Sequence, residues 1–160
     1  MRKEKKIAVI GLGYVGLPLT LAFSKHYKVV GYDVNEKRVS SLQKGIDSNL
    51  DVGVSINPNL VFSSNESAIK EANIYIVTVP TPVNAENIPD LSFLKSASQL
   101  VAKYLKEDDI VIYESTVYPG VTEDFCVPIL AKISGLSYNT NFYCGYSPER
   151  ISPGADKYAL

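Results

Sequence analysis

Short apolar runs alternate along the chain with stretches of helical period, and this order predicts a parallel sheet covered by helices. The runs of strand length lie near residues 7–10, 29–32, 60–62, 74–79, 110–113 and 142–145. Helices are predicted between them, near residues 16–25, 36–43, 66–71, 91–105 and 121–133. The first run is apolar throughout, as expected for a strand covered on both faces. Residues 44–65 are rich in Gly, Asn, Ser and Asp and are predicted to be mostly loop.

Right-handed crossovers between such strands produce two βαβ halves that meet at a crevice. The predicted fold class is therefore α/β: a Rossmann-type, doubly wound, mostly parallel six-stranded sheet with helices on both faces. Ligands of these folds lie beyond the carboxyl ends of the strands, where the strand order reverses. The segments expected to line one site contain Gly11, Asp33, Thr81, residues 115–116 and residues 147–149.

Size and charge restrict the class of protein. The chain has 160 residues, and we expect residues 1–160 to form one domain. Its net charge of −1 gives no electrostatic footprint for nucleic acid. No apolar run approaches the roughly 20 residues of a membrane-spanning helix, and the N-terminus lacks a signal-peptide pattern. We therefore expect a cytoplasmic protein without a nucleic-acid or membrane partner.

The chain has few residues suited to nucleophilic or metal chemistry. Cys126 and Cys144 belong to no CxxC pair and no Cys/His metal pattern, so both are expected to be reduced core thiols and no metal site is predicted. His26, the single histidine, follows the first predicted helix, away from the crevice. The absence of a His/Ser or His/Cys constellation argues against a hydrolase.

The strongest local motif is G-x-G-x-x-G between the first strand and the first helix. Gly11 permits a tight turn, Gly13 lets the backbone approach a pyrophosphate, and Gly16 allows the helix to pack close to the sheet. Free amides and the helix dipole favour a diphosphate at this helix N-terminus. An acidic residue at the end of the next strand, Asp33, makes the motif informative. The motif predicts a dinucleotide site, and the alternative is a glycine-rich turn without a ligand.

Asp33 also indicates which dinucleotide binds. Its carboxylate can accept hydrogen bonds from the adenosine ribose hydroxyls and would repel a 2′-phosphate, which favours NAD over NADP. Arg38 complicates this, because a nearby arginine can accommodate that phosphate. We expect Arg38 to flank the adenosine, and the alternative is a solvated charge on a helix.

Two loops are expected beside the nicotinamide half of the cofactor. Val79, Pro80 and Thr81 leave the fourth strand in a stiff, proline-bounded loop that can fix the Thr81 hydroxyl and nearby amides. Ser115 and Thr116 occupy the matching place after the fifth strand. For both loops, a turn with a purely structural role is the alternative.

Five motifs in fixed order give the chain a specific resemblance. They lie at residues 11–18, 79–83, 89–91, 113–120 and 145–151. Together they resemble the N-terminal NAD-binding domain of the UDP-glucose/GDP-mannose dehydrogenase family, over essentially residues 7–154. The forms at residues 113–120 and 147–151 look most like the branch that acts on UDP-N-acetylhexosamines, which supplies uronic acids for capsule and O-antigen polysaccharide.

The resemblance implies an NAD-dependent oxidation of a sugar C6 alcohol to a carboxylate, with two NAD per turnover. It implies pyrophosphate contacts for Gly13, Tyr14 and Val15 and an adenosine site at Asp33 and Arg38. It places Thr81 and Thr116 at the nicotinamide ribose and ring. The catalytic roles it implies are orientation of the attacking water by Thr116 and assistance to hydrolysis of the covalent intermediate by Glu149. UDP-glucose enzymes carry a further glutamate where this chain has Pro153, which fits the N-acetylhexosamine branch.

The same resemblance implies that other parts of the family's enzymes are absent here. The family's catalytic cysteine lies in a C-terminal UDP-sugar domain, and an assisting lysine and asparagine come from the central linker and beyond. We therefore expect the 160 residues to be a fragment that binds NAD without turnover, and the full-length enzyme to be a homodimer that binds a UDP-sugar. The alternatives are a stand-alone NAD-sensing Rossmann module and another two-domain oxidoreductase such as a 3-hydroxyacid dehydrogenase. The second of these has no need for Glu149.

Overall fold

The computed structural model describes residues 4–50, 52–83, 85–86 and 88–148. A parallel sheet is formed by six strands: β1 (Lys6–Ile10), β2 (Lys28–Tyr32), β5 (Leu60–Ser63), β6 (Ile74–Val77), β7 (Asp109–Tyr113) and β8 (Phe142–Tyr146). The strands β3 (Ile46–Asp47) and β4 (Val52–Gly53) form a separate antiparallel hairpin. The α-helices are α1 (Gly16–Ser24), α2 (Glu36–Gln43), α3 (Ser92–Ala102) and α4 (Val127–Ser134). A 3-10 helix covers Glu66–Ile69, and a π-helical turn covers Val121–Cys126.

The order of the large sheet is β5-β2-β1-β6-β7-β8, and each pairing in it is parallel. The chain therefore runs outward from β1 to β5, returns to the other side of β1 at β6, and continues outward to β8. This is the strand order of a dinucleotide-binding Rossmann fold, and it confirms the predicted fold class. The reversal lies between β1 and β6, so the crevice is expected at the carboxyl ends of these two strands.

The two faces of the sheet bury two separate hydrophobic clusters. Because successive side chains of a strand point to opposite faces, Val9 and Ala8 fall into different clusters. Val9 shares its cluster with Leu17 of α1 and Leu42 of α2, whereas Ala8 shares its cluster with Leu94 of α3. Helices thus cover both faces, which explains why β1 is apolar throughout. Within the described part of the chain, no helix has the length and apolar character needed to cross a bilayer.

Some predicted element bounds were wrong, for local reasons. The strand predicted to reach residue 79 ends at Val77, where the Thr78 side chain turns to hydrogen-bond the glycine turn. The helix predicted from residue 121 begins as a π-helical turn, and its α-helical part starts beside Pro128, which has no N–H to donate. Residues 44–65, predicted to be mostly loop, also contain the β3–β4 hairpin.

Candidate functional site

The glycine turn between β1 and α1 is built around close backbone contacts. Gly11 has a φ of +101°, a conformation that favours glycine, and its N–H donates to the Tyr32 carbonyl at 2.8 Å. A Cβ atom on Gly16 would lie 1.8 Å from the Gly11 carbonyl oxygen and 2.5 Å from Thr78 Oγ1. The fold itself therefore requires glycine at both ends of the motif.

The middle glycine has a different environment. A Cβ atom on Gly13 would meet no atom within 4 Å other than those of its own residue and its two chain neighbours, and the φ of Gly13 lies outside the left-handed region. The Gly13 carbonyl accepts from Leu17 N–H at 3.1 Å, so the amides of residues 13–16 precede the hydrogen-bonded ladder of α1. Val15 caps this helix without a side-chain hydrogen bond. Open space beside unpaired helix amides suits an anionic group such as a diphosphate.

Asp33 follows β2 and is tied to the glycine turn. Its Oδ2 accepts from Leu12 N–H at 2.8 Å, and its Oδ1 accepts from Asn35 N–H at 2.9 Å. The side chain is partly exposed, and each carboxylate oxygen has a second lone pair available. The structure therefore places the expected ribose acceptor next to the open space at Gly13.

Arg38 is buried, with 7% of its surface exposed, so the alternative of a solvated helix charge is wrong. Its Nε donates to the Leu12 carbonyl at 3.0 Å, and its Nη1 forms an ion pair with Asp47. Nη1 also lies 3.3 Å from Ser48 Oγ. The guanidinium thus fastens the glycine turn to the β3–β4 hairpin, and its charge is neutralised by a buried carboxylate. Its contact with adenosine stays a prediction.

The loops after β6 and β7 are joined by two hydrogen bonds that run in opposite directions. The Thr81 hydroxyl donates to the Thr116 carbonyl at 2.6 Å, and the buried Ser115 hydroxyl donates to the Val79 carbonyl at 2.5 Å. Pro80 and Thr116 are exposed beside these bonds. The structure therefore brings both loops together at one edge of the sheet, although their contacts with a nicotinamide remain predictions.

The end of β8 joins the same edge. Ser147 N–H donates to the Tyr113 carbonyl at 2.9 Å, and the Tyr146 hydroxyl donates to the Val117 carbonyl at 3.1 Å. Residues 147–148 therefore lie beside the loop that follows β7. Glu149, the second predicted catalytic residue, lies outside the described residues.

Two residues that shape the site were not identified from the sequence. Thr78 Oγ1 lies 2.7 Å from the Gly11 carbonyl and 3.1 Å from the Ile10 carbonyl, so it fixes the turn from the β6 side. Asp47 holds Arg38 in place. Thr78 could have been identified from the sequence, because it comes directly before the proline-bounded loop. For Asp47, no spacing or motif identifies the partner, because the pairing depends on how a short hairpin folds back.

The cysteines and the histidine lie where the sequence predicted. Cys126 is buried and Cys144 is partly buried. His26 is exposed just after α1, at the opposite end of the strands from the site. Among the described residues, no three His, Cys, Asp or Glu side chains are grouped so as to hold a metal ion. Burial raises the pKa of the Cys126 thiol and raises that of Cys144 to about 12, so neither is a thiolate near neutral pH.

Raising the pH is accordingly expected to destabilise the fold. A buried acid whose pKa is raised by folding contributes stability that is fully present at pH values below its pKa in the unfolded chain, which is about 8.5 for a thiol. For Cys144 this stability is lost as the pH rises toward about 12. Burial also raises the pKa of the Tyr113 phenol, which adds to the loss. Urea unfolding at a series of alkaline pH values measures the effect, and Cys144→Ala should make the fall shallower. Ionisation of the Cys144 thiol in the folded protein near pH 9 would contradict the expectation.

Comparisons with known proteins identify the family of the chain. The model of the UDP-glucose/GDP-mannose dehydrogenase family, NAD binding domain, matches residues 5–159. The chain is 54% identical over 160 residues to the UDP-N-acetyl-D-glucosamine 6-dehydrogenase of Salmonella typhi, a match that covers 98% of this chain and 38% of that enzyme. A second enzyme of that name, from Pseudomonas aeruginosa, is 52% identical over 155 residues, which are 95% of this chain and 37% of the enzyme. The chain thus spans well under half the length of these relatives.

A solved structure gives the same result. The UDP-D-ManNAc dehydrogenase of Pyrococcus horikoshii superposes with a TM-score of 0.82 at 33% sequence identity, over 93% of this chain and 37% of that one. The family match extends over nearly the whole chain and includes each of the strand ends described above. The chain therefore belongs to the UDP-glucose/GDP-mannose dehydrogenase family and is its NAD-binding domain.

Proposed function

We propose that this chain is the cofactor half of a nucleotide-sugar 6-dehydrogenase that oxidises the C6 alcohol of a UDP-N-acetylhexosamine to a uronic acid. The observation that carries the proposal is the 54% identity to an enzyme named for UDP-N-acetyl-D-glucosamine, which extends through all the strand ends that form the site. The open space beside Gly13, next to the Asp33 carboxylate, supports NAD as the ligand that binds at the carboxyl-terminal edge of the sheet.

Each part of the edge has a proposed task in holding the cofactor. The backbone of Gly13, Tyr14 and Val15 binds the diphosphate, because free amides at a helix N-terminus favour negative charge. The Asp33 carboxylate accepts from the adenosine ribose hydroxyls, and Arg38 borders the adenosine. The chemistry that NAD would supply at this site is acceptance of a hydride from the sugar C6 carbon.

The two hydrogen-bonded loops hold the reacting half of the cofactor. Thr81 and Ser115 each donate their hydroxyl hydrogen across to the other loop, which limits the freedom of both loops. A rigid wall of this kind keeps the nicotinamide in one orientation toward the sugar, and orientation lowers the barrier of hydride transfer. Val79 and Pro80 complete the wall. Thr116, which is exposed, is placed to orient the attacking water.

The remaining steps are assigned to parts of the family's enzymes that this chain does not match. The chain matches 38% of the Salmonella typhi enzyme. We therefore propose that a second domain binds the UDP-sugar and forms the covalent intermediate. Glu149 would assist hydrolysis of the covalent intermediate. Through its own residues this chain then binds and orients NAD, and the complete enzyme is proposed to work as a homodimer.

A domain exchange tests the proposal. Residues 5–159, the matched segment, would replace the corresponding segment of the Salmonella typhi enzyme. The hybrid is expected to oxidise UDP-N-acetyl-D-glucosamine with two NADH formed per sugar, measured by absorbance and product analysis. The isolated 160-residue chain should bind NAD but form no NADH with the same sugar.

The control is a Glu149→Gln hybrid, which should keep NAD affinity and lose steady-state turnover. A hybrid that folds and binds NAD but leaves the sugar unoxidised would contradict the proposed activity. Sustained NADH production by the isolated chain would contradict the division into two halves.

A further inference from the structure

We propose that Asp47 is a determinant of selectivity for NAD over NADP, because it binds Arg38 and removes a nearby cation that a 2′-phosphate would use. The inference rests on the proposed NAD site at Asp33. Asp33 disfavours NADP by repelling the additional phosphate. Asp47 acts by a separate route, since it withholds the attractive partner instead of supplying a repulsive one.

The first observation is the position of the Arg38 guanidinium. Asp33 and Arg38 contact opposite ends of the same residue: Asp33 Oδ2 accepts from Leu12 N–H at 2.8 Å, and Arg38 Nε donates to the Leu12 carbonyl at 3.0 Å. Leu12 therefore joins the guanidinium to the carboxylate that is proposed to hold the ribose hydroxyls. An arginine in this neighbourhood is the residue type that accommodates a 2′-phosphate in NADP-binding relatives of the fold.

The second observation is that the charge of Arg38 is already used. Arg38 and Asp47 are 7% and 4% exposed, and Arg38 Nη1 forms an ion pair with Asp47 Oδ1. A buried guanidinium paired in this way cannot turn toward a phosphate without leaving a buried carboxylate unpaired, which is strongly unfavourable. The ion pair thus holds the Arg38 guanidinium buried against Asp47 and away from a 2′-phosphate.

The third observation is that the hairpin around Asp47 is fixed by its own hydrogen bonds. Asp47 Oδ1 also accepts from Asn49 N–H at 2.9 Å. The Ser41 hydroxyl of α2 donates to the Ile46 carbonyl at 3.0 Å, and Val54 N–H donates to the Gly45 carbonyl at 2.7 Å. These bonds hold the Asp47 carboxylate against α2, which is the helix that carries Arg38. The short β3–β4 hairpin therefore has a definable task, which is to present Asp47 to the guanidinium.

The test measures the affinity for NADPH and NADH by calorimetry in a series of variants. Asp33→Ser removes the repulsion and is the reference. Adding Asp47→Asn to it, which keeps an oxygen acceptor for Asn49 N–H, should increase the affinity for NADPH by about tenfold, the value of one new charge-assisted contact to phosphate. Adding Arg38→Gln as a third substitution should abolish that gain. The affinity of the wild-type chain for NADH reports separately on the proposed site.

Two comparisons make the result decisive. Glu36→Gln in the Asp33→Ser background is the matched control, since it removes one exposed negative charge from the same helix and should change NADPH affinity less than threefold. The proposal is overturned if Asp47→Asn gives no gain over Asp33→Ser, if the gain survives Arg38→Gln, or if Glu36→Gln gives an equal gain. Failure of the wild type to bind NADH would instead contradict the proposed function.

Loss of Asp47 alone leaves a buried cation unpaired and lowers stability, and the variant with all three substitutions, compared directly with Asp33→Ser, avoids this. Replacing both partners, Arg38→Gln with Asp47→Asn, removes the pair without leaving a buried charge. In the Asp33→Ser background this double change should leave NADPH affinity within about threefold of the reference, because a neutralised arginine contributes little to phosphate binding. A tenfold loss would show that Arg38 already serves the phosphate and would overturn the proposal.

Discussion

A Gly16→Ala variant is expected to lose about 3 kcal/mol of folding free energy and to unfold at a much lower urea concentration than the wild type. The added Cβ would lie 1.8 Å from the Gly11 carbonyl oxygen and 2.5 Å from Thr78 Oγ1. Neither atom can move freely, because they are 2.7 Å apart in a hydrogen bond and Gly11 N–H is held by the Tyr32 carbonyl at 2.8 Å. The helix propensity of alanine recovers only about 1 kcal/mol.

Urea unfolding followed by circular dichroism measures this loss. Gly13→Ala is the matched control, since it adds the same methyl group to the same turn where no protein atom lies within 4 Å. The control should unfold within about 0.5 kcal/mol of the wild type. If Gly16→Ala has the wild-type midpoint, then the helix does not pack against the turn as closely as described.

The parts of the fold that sequence predicts well are those with a local cause. The helix α2 was predicted at residues 36–43 and is found there, because Asn35 Oδ1 accepts from Lys37 N–H and Arg38 N–H at the first turn. The strands β1 and β2 were also predicted to within one residue at their starts. In each case the cap or the apolar run lies within a few residues of the element that it determines.

The parts that sequence does not predict depend on contacts between distant segments. Arg38 and Asp47 are nine positions apart, and only the folded hairpin shows that they form a buried pair. Thr78 reaches Gly11 across 67 positions, between strands whose adjacency follows from the topology and not from local pattern. The segments predicted to line the site therefore do meet at one edge of the sheet, whereas the hydrogen bonds that join them could be seen only in the structure.

The three glycines of the turn separate these two kinds of cause. Gly11 and Gly16 are required by the protein's own backbone, through a positive φ at one and a forbidden Cβ position at the other. Gly13 has neither requirement in the described structure. A position where the fold accepts a side chain, but the cofactor motif specifies glycine, is best explained by close approach of a ligand.

Gly13→Ala is therefore expected to fold normally and to lose about tenfold or more in affinity for NAD. The Cβ atom would occupy the space through which the diphosphate approaches the amides at the start of α1, and it would push the phosphate out of hydrogen-bonding distance. Titration calorimetry with NAD measures the loss, and the melting temperature without ligand confirms that folding is unchanged.

Gly53→Ala is the matched control for binding, because a Cβ there also meets nothing within 4 Å and β4 lies outside the six-stranded sheet. That variant should bind NAD as the wild type does. Together the two variants locate the diphosphate. The added methyl group should leave folding unchanged at both Gly13 and Gly53, and it should weaken NAD binding at Gly13 alone. An unchanged NAD affinity in Gly13→Ala would place the diphosphate elsewhere and would leave the open space at the start of α1 without a ligand.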